Sequence, residues 1–176
     1  LFRREGETAV LLDLWGDHEE HPVCGLAIDI GTTTVSAVTV NIESGEILSG
    51  ASSGNGQVRY GADVINRIVE ATKEGGIGRL QRAVLEETII PIIETMCVSA
   101  GIRREWIYRV CVVSNTTMNH LFLGLNPDYI RREPYVPVFM ELDGIAASDA
   151  GLPVHPCAEI IIAPNIGSYV GGDITA

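Results

Sequence analysis

Apolar residues along this chain recur with two periods, and the places where one gives way to the other divide it into elements. Leu26 to Ile30 is a short β-branched run and Val35 to Ile42 alternates apolar with polar positions, so both predict strands. Glu43-Ser44-Gly45-Glu46 predicts a hairpin turn into a third strand, Ile47 to Ser52. After an aperiodic polar stretch, the spacing over Ala62 to Lys73 becomes helical through Val64, Ile65, Ile68, Val69 and Thr72, and Gly75-Gly76 breaks it. A second helix, about Ile77 to Ala100, carries Leu85, Ile89, Ile92, Ile93, Met96 and Ala100 on one stripe. Pro91 predicts a kink in that helix and Gly101 its end.

Ile107 to Val113 predicts a fourth, fully buried strand, and Ser114-Asn115-Thr116-Thr117 the cap of a short helix, Met118 to Leu123. Residues 124 to 156, rich in proline and turn formers, predict an irregular excursion. The last strand is Glu159 to Ala163, and Gly171-Gly172-Asp173-Ile174-Thr175-Ala176 reads as the opening of a helix. This order predicts an α/β, ribonuclease-H-like lobe over residues 24–176. Its mixed five-stranded sheet joins a three-strand antiparallel meander to two parallel strands, with helices on its faces. Residues 1–23 read as the end of a preceding linker or domain, and the start at Leu1 rather than Met predicts a fragment. In such a sheet ligands sit where the first and fourth strands diverge, which puts the loops after Asp29 and Ser114 at one site.

Composition narrows the function classes. The 176 residues are 46% hydrophobic and 20% charged, as for a soluble globular domain, and the 23 acidic against 12 basic residues give a net charge of -11. That balance argues against a sequence-independent grip on DNA or RNA. No apolar run is long enough to span a bilayer and no basic-then-apolar leader opens the chain, so the expectation is a cytoplasmic protein with no membrane partner. Cys24, Cys97, Cys111 and Cys157 lack paired spacing and read as buried free thiols. His18, His21, His120 and His155 show no ligand spacing, and His120 reads as packed or capping rather than catalytic.

The candidate chemistry lies between the first two strands. Gly31 lets backbone N–H groups approach an anion, Thr32, Thr33 and Thr34 add hydroxyl donors, and Asp29 at the strand end is placed to hold a hydrated Mg²⁺. The loop has no lysine, so it is not a P-loop, and polyphosphate charge must be met by the metal and by oriented amides. The alternative is an ordinary hairpin whose threonines merely suit a strand edge.

The glycine-threonine hairpin resembles the first phosphate motif of the acetate and sugar kinase, heat-shock chaperone and actin superfamily. Four strings together resemble the ATPase domain, first lobe, of the reductive activators of corrinoid-dependent enzymes. They are Ala27-Ile28-Asp29-Ile30-Gly31-Thr32-Thr33-Thr34, Asn55 with Gln57-Val58-Arg59-Tyr60-Gly61-Ala62-Asp63-Val64-Ile65, Ser114-Asn115-Thr116-Thr117-Met118-Asn119-His120, and Val170-Gly171-Gly172-Asp173. The resemblance implies a longer protein with an N-terminal [2Fe-2S] domain and a two-lobed ATPase, which uses ATP and Mg to drive an electron uphill to cobalt(II) of a corrinoid protein and restore cobalt(I).

It further implies that Asp29 and Asp173 are catalytic, Asp173 near the attacking water. Asn115 would reach the nucleotide or cap its helix. Asn55, Gln57, Tyr60 and Asp63 would line the cleft or face the corrinoid partner, with a helix cap as the alternative for Asp63. Arg59 and Arg67 read as solvated surface charges. The second phosphate hairpin of the superfamily is missing, so the expected partner is a second lobe of the same longer chain and hydrolysis by this piece alone is not expected. Two other readings remain: a small-molecule kinase of the same superfamily, and a non-catalytic, actin-like scaffold switched by nucleotide.

Overall fold

The computed structural model describes residues 1–16, 21–142 and 144–174. His18, Thr175 and Ala176 lie outside the described residues. Two strands, β1 (Phe2–Glu5) and β2 (Thr8–Leu11), pair as a small antiparallel hairpin. The main sheet contains β3 (Cys24–Ile30), β4 (Thr34–Asn41), β5 (Ile47–Gly54), β6 (Ile107–Ser114), β7 (Ile145–Ala146) and β8 (Glu159–Ile162) in the order β5-β4-β3-β6-β8-β7. β3, β4 and β5 form the expected antiparallel meander, and β6 and β8 add in parallel.

The sheet has six strands rather than five. The additional edge strand, β7, is two residues long inside the irregular excursion and pairs antiparallel with β8. A segment that short carries no readable alternation.

The alternation of each strand decides what faces the core. Leu26, Ile28 and Ile30 of β3, Val35 and Ala37 of β4, Val110 and Val112 of β6, and Ile160 and Ile162 of β8 are buried in one cluster. The helical layer packs against them: α1 (Val64–Ala71), α2 (Gly76–Val84), α3 (Ile90–Ala100) and α4 (Thr116–Phe122). The alternate register, Ala27, Asp29, Ser36 and Cys111, is exposed, so among the described residues helices cover one face of the sheet rather than both.

The long second helix is continuous in path but not uniform. A turn of π-helix, Leu85–Ile89, joins α2 to α3 directly upstream of Pro91. Proline has no N–H and its ring collides with the carbonyl four residues back, and a widened turn just upstream gives room for both. Gly101 ends α3 as predicted, at φ 66°.

Helix α1 is rotated relative to the pattern reading. Arg67, Ile68 and Ala71 face inward, while Ile65 and Val69 are 46% and 40% exposed. An arginine's charge predicts the polar face, yet Arg67 finds its acceptors inside the lobe. The thiols also divide: Cys24 and Cys97 are buried as expected, but Cys111 and Cys157 are exposed. Cys111 occupies the open register of β6, where its apolar neighbours in sequence point the other way. His120 is packed as expected, wholly buried with its ring stacked on Phe139.

Residues 1–16 are tied to the end of the sheet remote from the predicted site. The Asp13 carboxylate accepts from Tyr108 Oη at 2.6 Å, which holds it below the usual carboxylate range, and Arg3 pairs with Glu159 at 3.4 Å.

Candidate functional site

Because β3 and β6 are parallel with Ile30 level with Ser114, both strands end at the same edge, and the two predicted loops leave side by side. Asn115 caps α4 by accepting the Met118 N–H at 3.0 Å, and its Nδ2 lies 3.4 Å from Thr32 Oγ1. The residue is therefore both a helix cap and a neighbour of the hairpin.

The hairpin, Gly31 to Thr34, is held from behind. The Gly31 carbonyl accepts from Asn55 Nδ2 at 2.9 Å, the Thr32 carbonyl from the Arg67 guanidinium, and the Thr33 carbonyl from the Asn55 backbone N–H at 2.8 Å. Peptide groups are planar and trans, so each carbonyl turned inward turns the following N–H outward. The N–H groups of Thr32 and Thr33 have no acceptor among the described residues. Thr33 and Thr34 are exposed and Thr32 is half-buried, so the loop is open to a ligand from solvent. The turn also requires glycine at its first position, where a Cβ would stand 2.5 Å from the Thr34 carbonyl oxygen.

Asp29 stands on the exposed register of β3, beside a cavity of about 200 Å³ lined by Ala27, Ser36, Val38, Cys111 and Val113. Partial burial and then the nearby charge of Asp173 push its carboxyl above the ordinary range. Among the described residues neither Asp29 nor Asp173 forms an ion pair. Two carboxylates in each other's field with no cation between them are a fit for a divalent ion, and a hard ion such as Mg²⁺ needs only one or two carboxylates when phosphate supplies the rest. No three His, Cys, Asp or Glu side chains come together among the described residues, so a closed all-protein metal cage is not what they form. A larger cavity, about 500 Å³, lies at Trp15, His21, Asn41 and Glu43, away from the hairpin and with none of its donors.

Asp173 is brought here by a buried polar chain that sequence reasoning missed. Ser114 Oγ donates to Asn119 Oδ1 at 2.6 Å, Asn119 Nδ2 to Asn165 Oδ1 at 2.8 Å, and Asn165 Nδ2 to the Phe139 carbonyl at 3.1 Å. Thr116 Oγ1 adds bonds to the carbonyls of Gly167 and Val170 at 2.6 and 3.1 Å. These contacts draw the segment after β8 across the end of β6, where a Cβ on Gly171 would collide with the Ser114 carbonyl and the Asn115 backbone. The signal was present in the sequence as the string Ser114 to His120, but its polar residues read as a cap and not as a clamp.

The remaining predicted residues divide into inward and outward groups. Asn55 and Gln57 are buried: Asn55 Oδ1 accepts the Gln57 N–H at 2.9 Å, and Gln57 Nε2 donates to the Leu80 carbonyl at 2.9 Å. Tyr60 is half-buried, with the Arg59 guanidinium 4.8 Å above its ring. Asp63 is exposed and caps α1 through the Asn66 N–H at 2.8 Å.

Arg59 is at the surface, as expected, paired with Glu87. Arg67 is not a solvated charge. It is wholly buried, donating from Nε to the Gly61 carbonyl at 2.9 Å and from Nη1 to Gln57 Oε1 at 3.1 Å, besides its bond to Thr32. Burial pulls its pKa down to about 10, which leaves it a cation at neutral pH.

Comparison with known proteins adds the context for this geometry. Residues 24–176 match the family described as the RACo middle region. The chain is 35% identical over 162 residues to the corrinoid activation enzyme RamQ of Eubacterium limosum, covering 91% of this chain and 27% of that protein. A solved structure titled reductive activator for corrinoid, iron-sulfur protein superposes with a TM-score of 0.92 at 38% identity, over 99% of this chain and 28% of the other. This chain thus spans little more than a quarter of either relative, and it belongs to the RACo middle-region family.

Proposed function

We propose that this chain is the first, nucleotide-binding lobe of an ATP-dependent reductive activator that restores cobalt(I) in a corrinoid protein. The strand order β5-β4-β3-β6-β8, with β7 added at the edge, supports reading the sheet as a ribonuclease-H-like lobe. The observation that carries the nucleotide reading is the convergence of Asp29, Asp173 and Asn115 on a hairpin whose Gly31, Thr32 and Thr33 carbonyls are turned inward. Family membership carries the corrinoid reading.

In this account the amides of Thr32 and Thr33 and the threonine hydroxyls receive phosphate oxygens, an arrangement that stabilises anions because the donors are fixed before the ligand arrives. Asp29 would hold a Mg²⁺ ion there, and the ion would supply charge neutralisation for the phosphates. Asp173 accepts a hydrogen bond from the attacking water and orients it. Asn115 fixes the Thr32 side chain. The [2Fe-2S] cluster and the second lobe belong to other parts of the longer protein.

One lobe leaves the phosphates open to water on the other side. The isolated 176-residue chain therefore binds Mg·ATP weakly and hydrolyses it at the background rate, while the full-length protein does both well. Titration calorimetry and a phosphate-release assay on the two forms test this. Equal turnover by the isolated chain would place the catalytic groups wrongly, and a full-length protein without ATP binding would remove the nucleotide reading altogether.

A further inference from the structure

We propose that Arg67 is a positioning residue of the anion loop: from beneath the hairpin it fixes and polarises the Thr32–Thr33 peptide so that the Thr33 N–H is presented to a phosphate oxygen. This inference rests on the reading of the hairpin as a polyphosphate site.

The loop itself lacks a cation. No lysine or arginine occurs between Cys24 and Val58, so a phosphate at Gly31 to Thr34 meets no positive side chain of its own strand pair. Arg67 is the cation that the fold delivers instead, from the first turn of α1. Its guanidinium is wholly buried, and all of its hydrogen bonds go to neutral acceptors: the carbonyls of Gly61 and Thr32, Gln57 Oε1 and Met118 Sδ. It makes no ion pair among the described residues. The carboxylate of Asp63, whose charge Arg67 feels, is engaged by the Asn66 backbone and side chain at 2.8 Å each.

A buried cation without a carboxylate is costly to fold around, and an apolar or amide side chain would fill the same space at lower cost. The cost has a counterpart once an anion occupies the far side of the loop. A guanidinium hydrogen-bonded to one end of a peptide group draws electron density toward the carbonyl and strengthens the N–H at the other end as a donor, since hydrogen bonds in series polarise one another. The charge also acts on the anion through one peptide layer of low-dielectric protein instead of through water. Gln57 is a second member of the device: its Oε1 orients Nη1, while its Nε2 is fixed on Leu80.

The test uses the full-length protein with Arg67→Lys, which keeps the charge and loses the fork, and Arg67→Gln, which loses the charge. Affinities for Mg·ATP and for adenosine are measured on each. Arg67→Gln is expected to weaken Mg·ATP about tenfold or more while adenosine changes by less than about threefold, with Arg67→Lys between wild type and Arg67→Gln. Simple destabilisation lowers both affinities by one common factor, so the ATP-to-adenosine ratio separates the two roles. A folded Arg67→Gln protein with the wild-type ratio would overturn the proposal and leave the nucleotide site standing. Absence of Mg·ATP binding by the wild type would overturn both.

A second measurement needs no variant to fold. In ¹⁵N-threonine-labelled wild-type protein, addition of magnesium tripolyphosphate should move the Thr33 amide proton downfield, and an unmoved Thr33 resonance at saturating ligand would overturn the proposal.

Discussion

Asn55 grips the Gly31 end of the hairpin with its side chain, Nδ2 to the Gly31 carbonyl at 2.9 Å, while its backbone N–H takes the Thr33 carbonyl at 2.8 Å. One buried residue thus sets the spacing of the loop from a different strand connection. Asn55→Ala should cost about 1–3 kcal/mol of stability, because the Gly31 carbonyl and the Gln57 N–H both lose a buried partner. It should also weaken Mg·ATP binding in the full-length protein by roughly tenfold, about 1.4 kcal/mol. Chemical denaturation and nucleotide titration check the two effects. Unchanged affinity with reduced stability would confine Asn55 to folding.

Gly171 lies where the chain crosses the end of β6, against the Ser114 carbonyl. Gly171→Ala should displace the crossing segment, and Asp173 with it. In the full-length protein turnover should fall more than the melting temperature does. A steady-state assay beside a melting curve decides this, and wild-type turnover would show that Asp173 does not depend on the crossing.

His120 is locked in one tautomer by its neighbours, with Nδ1 2.7 Å from the Thr116 carbonyl and Nε2 2.9 Å from the Val138 N–H that donates to it. Burial holds its pKa below the ordinary histidine value. A proton at Nε2 would face a donor, which acts in the same direction. Because the folded pKa lies below the unfolded one, the unfolded chain binds the extra proton first. The associated stability is complete above about pH 6.5 and is lost as pH falls through the folded pKa. Ring ¹⁵N spectra over pH 7.5 to 5 should show an Nδ1–H tautomer with a midpoint below about 6.5. A midpoint at or above that value would contradict the packing.

Much of the fold was legible because the relevant signals are local. The meander, the β6 strand and the capped α4 follow from alternation, turn residues and the Asn115 cap. The two-residue β7 could not be read, since its existence depends on β8 offering an edge to Ile145 and Ala146. Arg67 was misplaced for a related reason. Charge predicts exposure unless acceptors wait inside, and its acceptors come from residues as distant in sequence as Thr32 and Met118. The candidate site was readable as a list, but its clamp was not: Asn119 and Asn165 meet across 46 positions.

Asp29 and Asp173 should separate by function in the full-length protein. Asp29→Asn should weaken Mg·ATP binding and turnover together, because the ground-state partner of the metal is lost. Asp173→Asn should leave affinity near wild type and lower turnover by roughly tenfold to ten-thousandfold. Near-native turnover in Asp173→Asn would reduce that residue to a structural role at the start of the final segment.

The most direct test of the whole account is the absorbance spectrum of a cobalt(II) corrinoid protein mixed with the full-length protein and a low-potential reductant, recorded before and after addition of Mg·ATP. The account predicts conversion to the cobalt(I) spectrum that requires ATP and is lost in Asp29→Asn. Conversion at the same rate and extent without ATP, or no conversion with any corrinoid protein alongside phosphorylation of a sugar or carboxylic acid, would contradict it.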